Sequence, residues 1–214
     1  MKKPFNMLFL TAALAVGSYA LQSTNAQAQT TPRVGIKGGF NASTLYYDND
    51  GVSDKNERYG FHAGVFAQIP AGDFFAIQPE LLYTTKGASG NYNILGINGT
   101  NTFRLNYAEL PVLATFKLGN VVDLQLGPYV AYLLNSDINS NGDFGTGVAR
   151  IDRDNFNKVD YGVAGGLNLY LGKALIGVRY GQGIQRIADS GVARTILGNA
   201  KNGVGMISIG YSFN

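Results

Sequence analysis

From Val204 to Phe213 the chain reads V-G-M-I-S-I-G-Y-S-F, in which Ile207, Ile209, Tyr211 and Phe213 alternate with Met206, Ser208, Gly210 and Ser212. Successive side chains of a strand point to opposite faces, so this period of two puts large apolar groups on one face and small or polar ones on the other. No segment carries a helical period that could cover the apolar face. The pattern predicts a strand whose apolar face meets lipid and whose other face lines a barrel.

The same alternation recurs along the chain. In a first strand, Arg33 to Tyr47, Val34, Ile36, Phe40 and Ala42 oppose Lys37, Gly39, Asn41 and Ser43. In a second, Tyr59, Phe61, Ala63, Val65, Ala67 and Ile69 oppose Gly60, His62, Gly64, Phe66 and Gln68. A third, Phe74 to Lys86, sets Phe75, Ile77, Leu81 and Tyr83 against Gln78, Glu80, Thr84 and Lys86. Pro79 lacks an amide hydrogen, which predicts a local irregularity there. The fourth sets Leu110, Val112, Ala114, Phe116 and Leu118 against Glu109, Leu113, Thr115 and Lys117. In the fifth, Val121 to Leu134, the inward set is Asp123, Gln125, Tyr129 and Ala131. The sixth runs from Val159 to Leu171, and the seventh sets Ile176, Val178 and Tyr180 against Gly177, Arg179 and Gly181.

Tight turns at Pro70-Ala71-Gly72-Asp73, Gly119-Asn120 and Gly172-Lys173 alternate with long polar connections: 48–57, Gly87 to Asn101, Asn135 to Lys158, and one before the closing strand. The fold expected is all-β: an eight-stranded antiparallel transmembrane up-and-down barrel with a side-chain-filled interior and both termini at the short-turn end. Aromatics fit two girdles, with Tyr46, Tyr47, Tyr83, Tyr132, Tyr161 and Tyr180 toward the long connections and Phe74, Phe75, Phe116, Tyr211 and Phe213 toward the short turns.

Composition strengthens this reading. Charged residues make up 14%, below the roughly 25% of soluble domains, and glycine is abundant at 29 residues. Lys2 and Lys3, the apolar run Met7 to Val16 and Ala26-Gln27-Ala28 form a secretory signal peptide, expected to be cleaved after Ala28. The expected division is therefore 1–28 signal peptide, 29–32 a short lead and 33–214 the barrel domain. Without Lys2 and Lys3, 15 basic residues face 14 acidic ones, and they are scattered, which argues against nucleic-acid binding. The chain has no cysteine, so no disulfide holds it together.

The inward faces combine Lys37, Lys117 and Arg179 with Glu80, Glu109 and Asp123, beside the single histidine, His62. A barrel of this strand number is just wide enough for its own side chains, so these groups are expected to neutralise one another as an interior polar network. A gated path for ions or small solutes through it is the alternative. His62 could serve as a base, but no nucleophile motif accompanies it, and the expectation is no enzyme, no cofactor and no resident metal. Asp137-Ile138-Asn139-Ser140-Asn141-Gly142-Asp143 matches the first half of a calcium loop, but position twelve is Val148, so a turn-rich surface loop is expected instead. Gly162 to Gly166 lies within a strand and reads as close packing inside the barrel.

Gly60 to Pro70 (GFHAGVFAQIP), Gln78 to Gly87 (QPELLYTTKG), Asn106 to Leu113 (NYAELPVL), Leu126 to Tyr129 (LGPY), Asp160 to Gly166 (DYGVAGG) and Val178 to Gly183 (VRYGQG) resemble the PorT-like outer-membrane β-barrel proteins, often labelled "porin family". The resemblance covers essentially the whole chain after residue 28 and implies a Gram-negative outer membrane. It differs at the end, where Asn214 follows the aromatic Phe213 of the assembly strand formed by Ile207, Ile209, Tyr211 and Phe213. The partners expected are outer-membrane lipid, the barrel assembly machinery during biogenesis, and a surface or periplasmic protein of unspecified kind. The role expected is structural or interactive through the long connections. A secretion accessory role and a soluble lipocalin-like carrier, which would face its apolar residues inward, are the remaining alternatives.

Overall fold

A computed structural model of the protein describes residues 31–46, 57–94, 97–142, 145–150, 157–187 and 200–214. The expected signal peptide, Tyr47, Asp143 and most of the 48–57 connection lie outside them. Nine strands occur among these residues: β1 (Arg33–Tyr46), β2 (Arg58–Pro70), β3 (Phe75–Ile94), β4 (Ile97–Leu118), β5 (Val122–Gly142), β6 (Gly145–Arg150), β7 (Val159–Leu171), β8 (Ala174–Arg186) and β9 (Lys201–Ser212). Eight of them close a ring, β1-β2-β3-β4-β5-β7-β8-β9 and back to β1, with every pair antiparallel. The seam joins the first and last strands, pairing Gly35 with Ser212 and Tyr46 with Lys201. Closure leaves no edge with unpaired backbone groups, as a hydrocarbon surrounding requires.

The alternation read from the sequence is the alternation of the wall. Val34, Ile36, Phe40, Phe61, Val65, Leu81, Leu124, Leu126, Val163, Leu167, Ile176 and Val178 all face outward and are exposed. Their opposite-face neighbours are buried or half-buried, so the inward-apolar arrangement of a lipocalin-like carrier is the reverse of what occurs. Two girdles bound this belt: Tyr59, Tyr83, Tyr132, Tyr161 and Tyr180 toward the long connections, and Phe74, Phe116, Tyr211 and Phe213 toward the short turns. Phe75 packs on Phe116 with ring centroids 5.4 Å apart.

All three short turns depend on glycine, with Gly72 at φ 147°, Gly119 at φ 72° and Gly172 at φ 65°, a region that side chains disfavour. Inside the wall, a Cβ on Gly39 would stand 1.8 Å from the Ile207 carbonyl, so β1 and β9 can approach there only around a glycine.

Two expectations need correction. The segment Gly87 to Asn101 is not a loop: β3 and β4 run on as one long hairpin whose last pair is Ile94 with Ile97. Likewise, Asn135 to Lys158 contains the end of β5, which pairs with β4 on one side and with β6 on the other. The polar composition suggested loops because neither face offers a buried stripe. A hairpin that stands clear of the wall needs none, since its backbone groups satisfy each other across the ladder. The irregularity expected at Pro79 is a break in pairing without a change of register: β2–β3 passes from Phe66–Glu80 to Ile69–Ile77, and β3–β4 from Pro79–Val112 to Leu82–Glu109. Register slips lie in β4–β5, where Tyr107 pairs with Leu133 but Asn106 with Asn135, and in β8–β9, where Gln182 pairs with Gly203 but Arg186 with Lys201.

Candidate functional site: the barrel interior

Of the seven charged or titratable residues expected inside, three meet directly. The Glu80 carboxylate accepts from Lys37 Nζ at 2.8 Å and from both arms of the Arg179 guanidinium at 2.7 Å. Such a fork is the strongest geometry available to a carboxylate. Gln78 Nε2 donates to the same carboxylate at 2.8 Å, and Arg179 also donates to Gln125 Oε1 at 2.9 Å. Asp123 joins through glutamine amides, Gln68 Nε2 donating to it at 2.7 Å and to Gln78 Oε1 at 3.1 Å. This lower cluster lies in the half of the barrel nearer the short turns, five residues along β3 and β8.

Glu109 belongs to a second, upper cluster nearer the long connections. Lys86 Nζ lies 2.7 Å from Glu109 and 3.2 Å from Asp160, and over the rings of Tyr129 (4.4 Å) and Tyr107 (5.3 Å). Asn202 Nδ2 donates to Asp160 Oδ2 at 2.9 Å. Lys117 joins neither cluster; it sits half-buried at the short-turn end, directly across the β4–β5 pair from Asp123.

His62 forms a separate chain. Its ring nitrogens lie 2.6 Å from Asn41 Oδ1 and 2.8 Å from Ser208 Oγ. Asn41 Nδ2 donates to Thr84 Oγ1 and to the carbonyls of Phe61 and Thr85, which turns its oxygen toward the imidazole. Nδ1 therefore carries the proton, and Nε2 accepts from Ser208. The order serine–imidazole–amide is that of a nucleophile, base and orienting group, but Ser208 is 5% and His62 1% exposed, behind the wall.

Apolar side chains cap the polar layers: Tyr170 and Leu175 below, with Phe66 packed on them at the level of Glu80, and Leu105, Leu133 and Ile187 above. The calcium-loop resemblance does not survive the fold. Asp137 to Gly142 is extended strand within β5, paired with β4 and β6, and not the turn of a cation-binding loop. Among the described residues, no group of three or more His, Cys, Asp or Glu is placed to hold a metal.

Sequence reasoning missed Asp160 and underrated Lys86, along with Gln68, Gln78, Gln125 and Asn202. Lys86 and Asp160 carried the same signal as the residues that were chosen, a charge at an inward position of an alternating strand. The amides carry no charge and gave none.

The four outward residues of the terminal strand, Ile207, Ile209, Tyr211 and Phe213, are 61%, 69%, 48% and 55% exposed, as an apolar outer face requires. Asn214, beyond the aromatic, continues the seam with its side chain: Oδ1 accepts from Val34 N at 3.0 Å and Nδ2 donates to the Pro32 carbonyl.

The barrel is similar to solved structures of Ail, the attachment invasion locus protein of Yersinia pestis, in complex with the heparin analogue sucrose octasulfate (15% identity, 86% of this chain and 100% of that one, TM-score 0.46). It is also similar to Neisserial surface protein A (12%, 85% and 97%, TM-score 0.43) and to OprG from Pseudomonas aeruginosa (16%, 89% and 100%, TM-score 0.39). No curated protein sequence matches. The outer membrane protein beta-barrel domain matches residues 25–189, more than half of the chain, and the protein belongs to that family of the outer membrane.

Proposed function

We propose that this outer-membrane barrel is a closed scaffold that presents the β3–β4 and β5–β6 hairpins for surface interaction. The observation that carries this is a contrast of lengths above a filled interior. β3, β4 and β5 have 20, 22 and 21 residues, while β1, β2, β7, β8 and β9 have 12 to 14. The surplus carries backbone on the order of 25 Å further than the wall needs. In barrels of this kind the long connections lie outside the cell. The two ion clusters and their apolar caps support a closed interior over a conducting one.

The role is non-enzymatic in this reading. The Ser208–His62–Asn41 chain holds β1, β2 and β9 in position, and a fluorophosphonate probe is expected to leave Ser208 unlabelled. The sequence stretches cited above support membership of the PorT-like subgroup. The N-terminal signal supports export, and the alternating terminal strand supports handling by the barrel assembly machinery.

The test replaces 88–101 and 136–149 with short Asn-Gly turns. On intact cells, trypsin is expected to cut the full chain at Arg104 and Arg150, and the trimmed chain is expected to lose surface attachment while staying folded. Unchanged attachment, together with steady conductance of the full chain in planar bilayers, would replace this reading with the channel.

A further inference from the structure

The lipid-facing belt carries a hollow among the described residues. Gly38 on β1 pairs with Ala63 on β2 and with Ile209 on β9, and all three point outward. The small residues leave a groove of about 990 Å³ walled by Ile36, Phe40, Phe61, Ile209 and Tyr211. Along β9 it runs from Ile207 to Tyr211, about 13 Å of strand, nearly the depth of one leaflet, about 15 Å of hydrocarbon.

Inside a bilayer a hydrocarbon chain gains no transfer energy by leaving its neighbours. A groove therefore retains a chain through close dispersion contact and whatever holds the headgroup. The walls supply the first. For the second, Tyr211 pairs with Ala174, the residue after Lys173, which stands exposed in the turn between β7 and β8. Lys173 Nζ donates to the Phe213 carbonyl at 2.8 Å, which sets its ammonium at the foot of the same face. An ammonium has three donors, so a phosphate can bind beside this bond.

We propose that the groove is a binding site for one phospholipid of the periplasmic leaflet, with an acyl chain in the hollow over Gly38 and Ala63 and its phosphate on Lys173. The leaflet follows from the cation, which lies at the short-turn end. The groove is continuous with the surface that already meets lipid; what distinguishes it is a recess large enough to draw an acyl chain out of the surrounding layer.

The folded protein, in nanodiscs of phosphatidylethanolamine and phosphatidylglycerol, is released into mild detergent and weighed by native mass spectrometry. One retained phospholipid per barrel is expected, enriched in phosphatidylglycerol. Ala63→Phe fills the hollow and is expected to lower the retained fraction about tenfold, with Ala63→Leu as a milder filler should the larger ring disturb folding. Lys173→Gln is expected to abolish the phosphatidylglycerol enrichment, and Ala114→Phe, outward on β4, to change nothing. Heat-modifiable migration checks that each variant is folded. Equal retention by wild type and both fillers would overturn the site, and unchanged enrichment in Lys173→Gln would overturn the headgroup assignment. A dimer in place of the lipid adduct, lost in Ala63→Phe, would overturn the proposal by giving the groove to a second copy of the chain.

Discussion

Toward the short turns, one carboxylate, Glu80, is shared by two cations, Lys37 and Arg179; toward the long connections, one cation, Lys86, is shared by two carboxylates, Glu109 and Asp160. The two triads of direct ion contacts are mirror images in charge. In the lower half Asp123, reached through Gln68 and Gln78, offsets the second cation; the upper triad keeps its excess of negative charge. In each the central group is the critical one, because its removal leaves two like charges side by side in a low-dielectric interior. The clusters differ in their surroundings. Glu80 is wrapped by a guanidinium fork and amides, while Lys86 is flanked by aromatic rings whose faces attract a cation.

The largest expected effect is from Glu80→Gln, which strands the Lys37 and Arg179 charges. The loss is about 3–5 kcal/mol, read as a lower urea midpoint for the heat-modifiable form in vesicles. Lys86→Met strands two carboxylates and is expected to cost about 3 kcal/mol at neutral pH. Removing one stranded charge separates the pair. Glu109→Gln is expected to restore stability to Lys86→Met and not to Glu80→Gln. Recovery of both variants would remove the charge contrast. Arg179→Lys keeps the charge but loses the fork, an expected cost of about 1–2 kcal/mol in the same urea assay. Lys117→Gln, outside both clusters and half-buried, is expected to shift stability by less than about 0.5 kcal/mol. A larger shift would extend the lower cluster to the rim.

The inward and outward sets were legible residue by residue, since a period of two is a local property of the chain. Lys37, Glu80 and Arg179 were readable as inward charges for that reason, and so was Ile209 as lipid-facing. The partners were not. Arg179 and Glu80 are 99 positions apart, and Lys86 and Asp160 are 74 apart. Such pairs follow from the strand stagger and the closing of the ring, which no single segment encodes. The division of Glu109 from Glu80 into separate clusters is of this kind. The hairpin above the wall escaped for the opposite reason: polar on both faces, Asn135 to Gly142 carries no amphipathic signal, and pairing with β4 and β6 decides its form.

By itself, then, the sequence determined which atoms face lipid and which face the interior, because alternation at each strand leaves one face that only hydrocarbon can accept. Which buried charge neutralises which, where His62 finds Ser208, and where Gly38 and Ala63 coincide to open a groove were decided only when eight strands closed into a ring, since closure alone sets the heights at which inward and outward residues meet.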